Sequence, residues 1–181
     1  MKAFWQICLI FMMLGISVQT VMAHVVAYSE NQGISSLVAA TILSTISGVS
    51  IIGRLLMGLA SDWLGRRKSL IICTVMEGIM MLWLIGSSRV WMLFVFGVIF
   101  GFFYGGHAPQ LPALVGETLG LANVGAMLGM GIFFWAIGSA IGPYITGHLF
   151  DITGSYGGGF MIGVISLFLV TTLAVFIQKR G

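Results

Sequence analysis

Six long apolar stretches, separated by short polar segments, make up nearly all of the 181-residue chain. Each stretch is close to or longer than the roughly 20 residues with which a helix crosses a bilayer. The pattern predicts an all-α membrane protein, one unit over residues 1–181, with spans at residues 3–27, 34–60, 69–86, 91–114, 124–149 and 158–178. The fourth span is expected to bend near Pro109 and Pro112, because proline removes a helical hydrogen-bond donor. The first is longer than the apolar core of a signal peptide, about 7–15 residues, so we interpret it as a span rather than a cleaved leader.

Glycines recur every four residues in the fifth apolar stretch, at Gly125 and Gly129 and again at Gly138 and Gly142. Small residues at this spacing let two membrane helices approach closely. We therefore expect these positions to lie at helix contacts.

The composition agrees with a lipid environment. Hydrophobic residues make up 59% of the chain and charged residues 7%, and the mean hydropathy is +1.09, whereas a soluble domain has about a quarter of its residues charged. All basic residues except Arg54 lie at the ends of apolar stretches rather than on one face, which argues against a nucleic-acid partner. Cys8 and Cys73 lie inside apolar runs with no ligand-like spacing around them, so we expect neither a metal site nor a cofactor.

The distribution of Lys and Arg predicts the orientation in the membrane. With six spans, one side carries Lys2, Arg66, Arg67, Lys68, Lys179 and Arg180, and the other carries Arg89 alone. Because cytoplasmic segments are enriched in basic residues, both termini are predicted to be cytoplasmic. We expect a multi-pass protein of the cytoplasmic (plasma) membrane.

One basic residue, Arg54, falls within an apolar stretch. By helix rise it lies about 10 to 12 Å inside the end of its span, where an arginine costs at least about 2.5 kcal/mol. Ser47, Ser50, Arg54 and Gly58 are spaced by three, four and four residues, so they share one face of a helix. A guanidinium flanked by hydroxyls suits a carboxylate, which it binds through two parallel hydrogen bonds. The alternative is an arginine paired with a protein acid or with helix carbonyls, which would only hold the helices together.

Residues 61–68 are predicted to form a charged turn between the second and third spans. The segment that includes this turn has a recognisable spacing of Gly58, Asp62, Gly65, Arg66 and Arg67. It resembles the signature loop of the major facilitator superfamily, which lies between the second and third helices of each six-helix half. The pair Gly53-Arg54 resembles the eighth helix of the oxalate:formate antiporter and monocarboxylate transporter branch, and residues 136–156 resemble its eleventh helix and following loop. The resemblance covers nearly the whole chain. It implies the carboxyl-terminal half, helices seven to twelve, of a twelve-helix carrier.

The resemblance also implies a function, which is secondary active transport of a small organic anion by alternating access, as an antiporter or a symporter. Arg54 would bind the anion, and Gln19, Tyr104 and His107 lie on helices that resemble the cavity-lining ones. Proton-coupled members have an aspartate where this chain has Ser50, which weakens proton coupling by that position. The oxalate carrier has a lysine in its eleventh helix, whereas residues 124–149 contain no Lys or Arg. A monocarboxylate is therefore favoured over a dicarboxylate.

The charged segment has its own expected role. In the family, the loop aspartate pairs locally with an arginine and docks on a helix end of the other half, which makes a conformational latch. This assigns Gly58, Asp62, Gly65, Arg66 and Arg67 to a latch, with Glu117 as an additional ion-pair partner. The alternative is a solvated turn that only enforces topology.

Two further ionisable residues lie deep in their spans. Glu77 is about 12 Å beyond Ser69 by helix rise, and His107 lies in the fourth apolar stretch. Both are candidates for proton coupling. The alternative for each is a hydrogen-bonded residue with a purely structural role.

The remaining question is whether six spans are sufficient for activity. A half would need a separate amino-terminal half or a second copy of itself as its partner. It could instead be an inactive truncated fragment or a structural subunit. An enzyme is not expected, because Ser139 and His148, the most suggestive nucleophile and base, are nine residues apart and point to opposite sides of one helix.

Overall fold

A computed structural model describes residues 2–120 and 124–177, and every regular element in these ranges is helical. The elements are α1 (Lys2–Asn31), α2 (Ser36–Leu64), α3 (Arg66–Ile85), α4 (Val90–His107), α5 (Gln110–Leu119), α6 (Val124–Thr153) and α7 (Gly157–Phe176). With α4 and α5 taken as one span, six helical segments are long and apolar enough to cross a membrane. The prediction of six membrane-spanning helices is therefore confirmed.

The fourth span is broken where the sequence predicted a bend. Helix α4 ends at His107, and α5 begins at Gln110 after Ala108 and Pro109. Pro112 lies in the first turn of α5, where a missing backbone N–H leaves no helical bond unmade. Helix α5 continues to Leu119, beyond the predicted end at residue 114.

The charged segment 61–68, predicted to be a turn, is almost entirely helical. Helix α2 continues to Leu64 and α3 begins at Arg66, so Gly65 alone separates them. Gly65 has a φ of +87°, a backbone conformation that glycine adopts without strain. Helix α6 likewise extends to Thr153, past the predicted end at residue 149. The predictions for residues 121–123, Gln178, Lys179 and Arg180 lie outside the described residues.

Close packing of parallel helices organises the bundle. Consecutive spans alternate in direction, so α2 runs parallel to α4, and α1 runs parallel to α6. A Cβ on Gly101 of α4 would lie 2.6 Å from the Ile46 carbonyl oxygen, and one on Gly142 of α6 would lie 2.5 Å from the Ile16 carbonyl oxygen. Side chains at these glycines would therefore push the helix pairs apart.

The core lies where α1, α3, α4 and α7 meet. Its largest fully buried side chains include Leu14, Met81, Phe96, Phe100 and Phe160. Hydroxyls are also paired between helices, as in the contact at 2.9 Å between the buried Thr74 and the partly buried Thr171. Helix α6, by contrast, has only Gly131, Gly138, Gly142 and Thr146 buried among its described residues, so most of its surface is uncovered.

Candidate functional site

Arg54 lies in the middle of α2 with its side chain exposed. It lies ten positions before Leu64, about 15 Å from the charged end of the helix. Within residues 2–120 and 124–177, the ion pairs are Asp62–Arg66 and Glu77–His107, and neither involves Arg54. The guanidinium is therefore not neutralised by an acidic side chain in the described part of the chain.

Arg54 shares its flank of α2 with a hydroxyl and a glycine. Ser47 is also exposed and lies about 20° from Arg54 around the helix axis, and Gly58 lies about 40° to its other side. Ile52 and Leu56, which are 53% and 52% exposed, lie about 160–200° away from Arg54. The side of α2 opposite Arg54 is thus apolar, and the Arg54 side carries a cation and a hydroxyl with the exposed Ile51 about 60° away.

Ser50 does not share this exposure. It is 5% exposed, and its hydroxyl donates to the Ser47 carbonyl at 2.7 Å. The Ser47 hydroxyl donates to the Leu43 carbonyl at 3.1 Å but stays exposed. Of the two serines predicted beside Arg54, Ser47 is therefore the accessible one, whereas Ser50 lies in the contact between α2 and α4.

The turn of α2 that holds Arg54 is fixed by tight backbone contacts. A Cβ on Gly105 of α4 would lie 2.7 Å from the Cα of Ser50, and a Cβ on Gly53 would lie 2.9 Å from the Cα of Phe102. A Cβ on Gly106 would instead meet a side chain, at 2.8 Å from Cγ of Met57. Helix α4 therefore packs against the buried face of the α2 turn that holds Arg54.

The other predicted lining residues differ in burial. Gln19 on α1 and Tyr104 on α4 are partly buried, whereas His107 is 3% exposed. The Tyr104 ring stacks on Phe100 with the centroids 6.3 Å apart and meets the His107 ring edge-on at 5.7 Å. His107 therefore lies behind Tyr104, inside the bundle.

Arg66 and Arg67 bind different partners at the charged end of the bundle. Arg66 forms an ion pair with the exposed Asp62 and donates to the Ser61 hydroxyl, and it also donates to the Gly58 carbonyl at 3.3 Å. Arg67 instead donates to the Ile177 carbonyl at 3.2 Å, just beyond α7. Arg66 thus satisfies acceptors in the last turns of α2, and Arg67 ties α3 to the end of α7.

Glu117 lies on α5 near the same end of the molecule. With Arg66, Pro112, Val124 and Leu128 it lines an open groove of about 450 Å³ between α5 and α6. An exposed glutamate and a guanidinium thus border one concave surface.

The deep ionisable residues Glu77 and His107 are brought together by α3 and α4. The Nδ1 atom of His107 lies 2.7 Å from Oε1 of Glu77, and their side chains are 4% and 0% exposed, in that order. Gln110, at the start of α5, donates to the Gly106 carbonyl at 2.9 Å across the break in the span. The sequence singled out Glu77 and His107 separately, but it gave no reason to pair them.

Two structural residues were missed by the sequence reasoning. The Tyr28 hydroxyl lies 2.8 Å from the Leu84 carbonyl and 2.7 Å from the Ser87 carbonyl, so it binds the turn after α3. Gln110 bridges the α4–α5 break. A buried polar residue beside a turn or a proline is the one signal that could have indicated them.

Comparison with known proteins places this architecture in a family. The protein-family model described as Major Facilitator Superfamily matches residues 7–180 of this chain. The chain belongs to the major facilitator superfamily. Together with the six apolar helices, this membership makes it a multi-pass integral membrane protein, and it accords with the resemblance in the charged segment.

Individual relatives share the same region at low identity. Monocarboxylate transporter 12 of Xenopus laevis is 28% identical over 167 residues, which are 90% of this chain and 36% of the relative. Monocarboxylate transporter 12 of Homo sapiens is 27% identical over 94% of this chain and 33% of its own length. Aspyridones efflux protein apdF of Emericella nidulans is 27% identical over 84% of this chain and 31% of its own length. The chain thus spans about a third of the length of these relatives.

Proposed function

We propose that this chain is one half of an alternating-access carrier for a small monocarboxylate, with Arg54 as the anion ligand. The observation that carries the proposal is a guanidinium near mid-membrane, exposed on the half and without an acidic partner among the described residues. Burying such a cation in lipid is costly, so a membrane protein keeps it where water or a counter-charge reaches it. A carboxylate arriving from water supplies that counter-charge.

The polarity of α2 supports this placement of the substrate path. Ser47 and Gly58 lie on the Arg54 flank, whereas Ile52 and Leu56 lie on the far side. The first side suits an aqueous cavity and the second suits acyl chains. Arg54 and Ser47 are thus the direct ligands in this proposal.

The other predicted substrate residues take different positions around this centre. Gln19 and Tyr104 are partly exposed and are assigned to the cavity surface. Ser50 is buried and supports the Arg54 turn through its contact with Gly105. His107 is buried behind Tyr104, so we do not assign it to direct contact with the anion.

The choice of a monocarboxylate rests on charge and on the relatives. The described α6 contains no Lys or Arg, so no second basic residue from that helix faces a second carboxylate. Two of the relatives described above are named monocarboxylate transporters. A single guanidinium binding a single carboxylate agrees with both facts.

The second half of the carrier would cover the open faces of α2 and α6. Helix α6 buries only four of its described residues within this chain, and the Arg54 side of α2 is open as well. Substrate sites of such carriers lie near the midplane between two repeats. The partner is an amino-terminal six-helix half or a second copy of this chain, and the competing proposal is an inactive fragment.

We further infer that Asp62, Arg66 and the neighbouring Gly58 and Gly65 work as a conformational latch. The Asp62–Arg66 pair is at the exposed end of α2, beside the groove that Arg66 and Glu117 line. In this proposal the N-terminus of a helix from the other half docks on the Asp62 carboxylate. A carboxylate near a helix N-terminus is stabilised by about 0.3–1 kcal/mol. An interaction of that size is readily made and broken in each cycle. Arg67 contributes by holding α3 to the end of α7.

Uptake into proteoliposomes tests the proposal. The probes are labelled formate, lactate, pyruvate and oxalate, and the samples are this chain alone and this chain with an amino-terminal half. Saturable uptake by the chain alone supports a self-associated carrier, and uptake only with the partner supports a split carrier. Arg54→Gln should abolish uptake, whereas Arg89→Gln, in the turn before α4, should not. Absence of uptake in both samples would favour the inactive fragment.

A further inference from the structure

The surface of α4 carries a second groove, nearer the end of the bundle opposite the charged segment 61–68. Its volume is about 360 Å³, and its lining residues are all apolar: Phe94, Val95, Val98 and Ile99. Val95 and Val98 are 36% and 46% exposed, so the groove opens outward. Because α4 belongs to a membrane-spanning segment, the material that covers the groove is either membrane lipid or another membrane helix.

The length of the exposed surface on α4 favours lipid. All exposed residues of α4 lie between Val90 and Val98, and every residue from Ile99 to His107 is buried or partly buried. The exposed stretch is about 12 Å long by helix rise, whereas the hydrocarbon core of a bilayer is about 30 Å thick. It therefore matches the acyl region of one leaflet and is too short for the contact face of a helix that crosses both.

Two tryptophans lie at the outer end of the groove. Trp91 precedes the four lining residues by three, four, seven and eight positions, so it shares their face of α4. Trp83 of α3 donates its ring N–H to the Met92 carbonyl at 3.2 Å, and its ring centroid is 6.1 Å from that of Trp91. Tryptophan is enriched at the level of the lipid headgroups, so the two rings mark the membrane surface beside the groove.

A cation lies at the same level. Arg89, in the turn before α4, is exposed and forms no ion pair in the described part of the chain. It is the one Lys or Arg that the described residues place at this end of the bundle, where the acidic residues are Glu30 and Asp151. The groove begins five positions and ends ten positions after Arg89, which is about 7.5 Å to 15 Å deeper along the helix.

We propose that this surface binds one anionic phospholipid of the adjacent leaflet, with its phosphate at Arg89 and one acyl chain in the groove of α4. The guanidinium can donate two parallel hydrogen bonds to a phosphate. An acyl chain descends from the headgroup toward the middle of the membrane, which is the direction in which the groove runs from Arg89. A headgroup with a net negative charge is attracted more strongly than a zwitterionic one, so phosphatidylglycerol is preferred to phosphatidylcholine. The inference does not rest on the carrier function proposed above.

Quenching of tryptophan fluorescence by brominated lipids tests the headgroup contact. Changing Trp5, Trp63 and Trp135 to phenylalanine leaves Trp83 and Trp91 as the fluorophores of the chain. This background is placed in phosphatidylcholine vesicles that contain a small fraction of lipid with bromine on one acyl chain. The preference is the quenching by brominated phosphatidylglycerol relative to that by brominated phosphatidylcholine. Arg89→Gln should lower this preference by about fivefold, the effect of one basic residue at an anionic lipid surface. Lys68→Gln, at the opposite end of the bundle, should retain it.

A larger side chain in the groove tests the acyl-chain contact. Val98→Phe should also lower the preference, because the ring occupies the groove. Val175→Phe adds the same ring at an exposed position of α7 and should leave the preference unchanged. Labelling of the buried cysteines on heating shows whether each variant is folded.

Three results would overturn the proposal. Equal preference in Arg89→Gln and the background would exclude the phosphate contact. A loss in Arg89→Gln without a loss in Val98→Phe would show attraction of headgroups with no chain held in the groove. Absence of any preference in the background would mean that the surface meets lipid at random or is covered by a partner helix.

Discussion

Enlarging Gly105 to alanine is the sharpest structural perturbation, because it acts on the contact that supports the Arg54 turn. A Cβ at this position would lie 2.6 Å from the carbonyl carbon and 2.7 Å from the Cα of Ser50, whereas ordinary contacts of a Cβ are 3.4–4 Å. The obstacle is backbone and cannot rotate away. Helices α2 and α4 must therefore separate by roughly 1 Å.

The cost follows from overpacking. Inserting a methyl group into a well-packed core destabilises by about 1–3 kcal/mol, and for a chain of this size each kcal/mol lowers the melting temperature by about 2–4 °C. Both cysteines are buried, so a thiol-reactive fluorophore reports unfolding as the purified chain is heated. Gly48→Ala is the matched control, since Gly48 is an interior glycine of α2, the helix that α4 packs against, and a Cβ there meets nothing within 4 Å. A Gly105→Ala variant that melts at or above the temperature of Gly48→Ala would refute the close-packing argument.

Three other changes test the assignments around the site. Ser47→Cys should react with a charged, water-soluble thiol reagent in the carrier and be protected by lactate, whereas Leu56→Cys, on the opposite flank of α2, should not react. Arg67→Ala should lower the free energy of unfolding in a chemical denaturation assay by about 1 kcal/mol, because it removes a hydrogen bond to the end of α7. Lys68→Ala, which changes an exposed neighbour, should leave the free energy of unfolding unchanged. Equal effects of the two changes would contradict the role of Arg67 in holding α3 to α7. Burial, reinforced by the nearby Asp151 and Glu30, raises the pKa of Tyr156. The contribution of Tyr156 to the free energy of unfolding is therefore complete below the ordinary tyrosine pKa of about 10, and it is lost as the pH rises through the raised pKa. Tyr156→Phe should make unfolding monitored by circular dichroism less dependent on alkaline pH, and an unchanged dependence would argue against this cause.

Hydropathy and charge made much of the fold predictable. A bilayer requires apolar helices of nearly constant length, so six spans could be read directly from the sequence. Arg54 stood out because a cation is expensive in that position. In the structure Arg54 is exposed on α2 and has no acidic partner in residues 2–120 and 124–177, and its role as an anion ligand stays a prediction.

Local polarity was misleading at the charged segment. Residues 61–68 were expected to form a turn, yet both flanks of Gly65 are helical. Arg66 donates to acceptors of the preceding helix, including the Gly58 carbonyl, and so satisfies groups that a helix end normally leaves to water. This arrangement needs a single glycine with a positive φ rather than an eight-residue turn.

Tertiary neighbours could not be read from spacing. Gly138 and Gly142 pack on α1 as predicted, but Gly125 and Gly129 have the same spacing and meet nothing within 4 Å. Likewise, periodicity assigns Glu77 to a face of α3 but does not say that a histidine 30 residues later meets it. Helix period determines which residues share a face, whereas helix packing determines what that face contacts.

Equilibrium binding of labelled lactate and pyruvate to the complete carrier tests the central claim most directly. Hydrogen bonds to a charged group contribute about 1.5–3 kcal/mol, so Arg54→Gln should weaken binding by at least about tenfold. Arg54→Lys should bind with intermediate affinity, because it keeps the charge but loses the planar pair of donors. Equal affinity of the Arg54→Gln variant and the unmodified carrier would contradict the proposal that this guanidinium binds the anion.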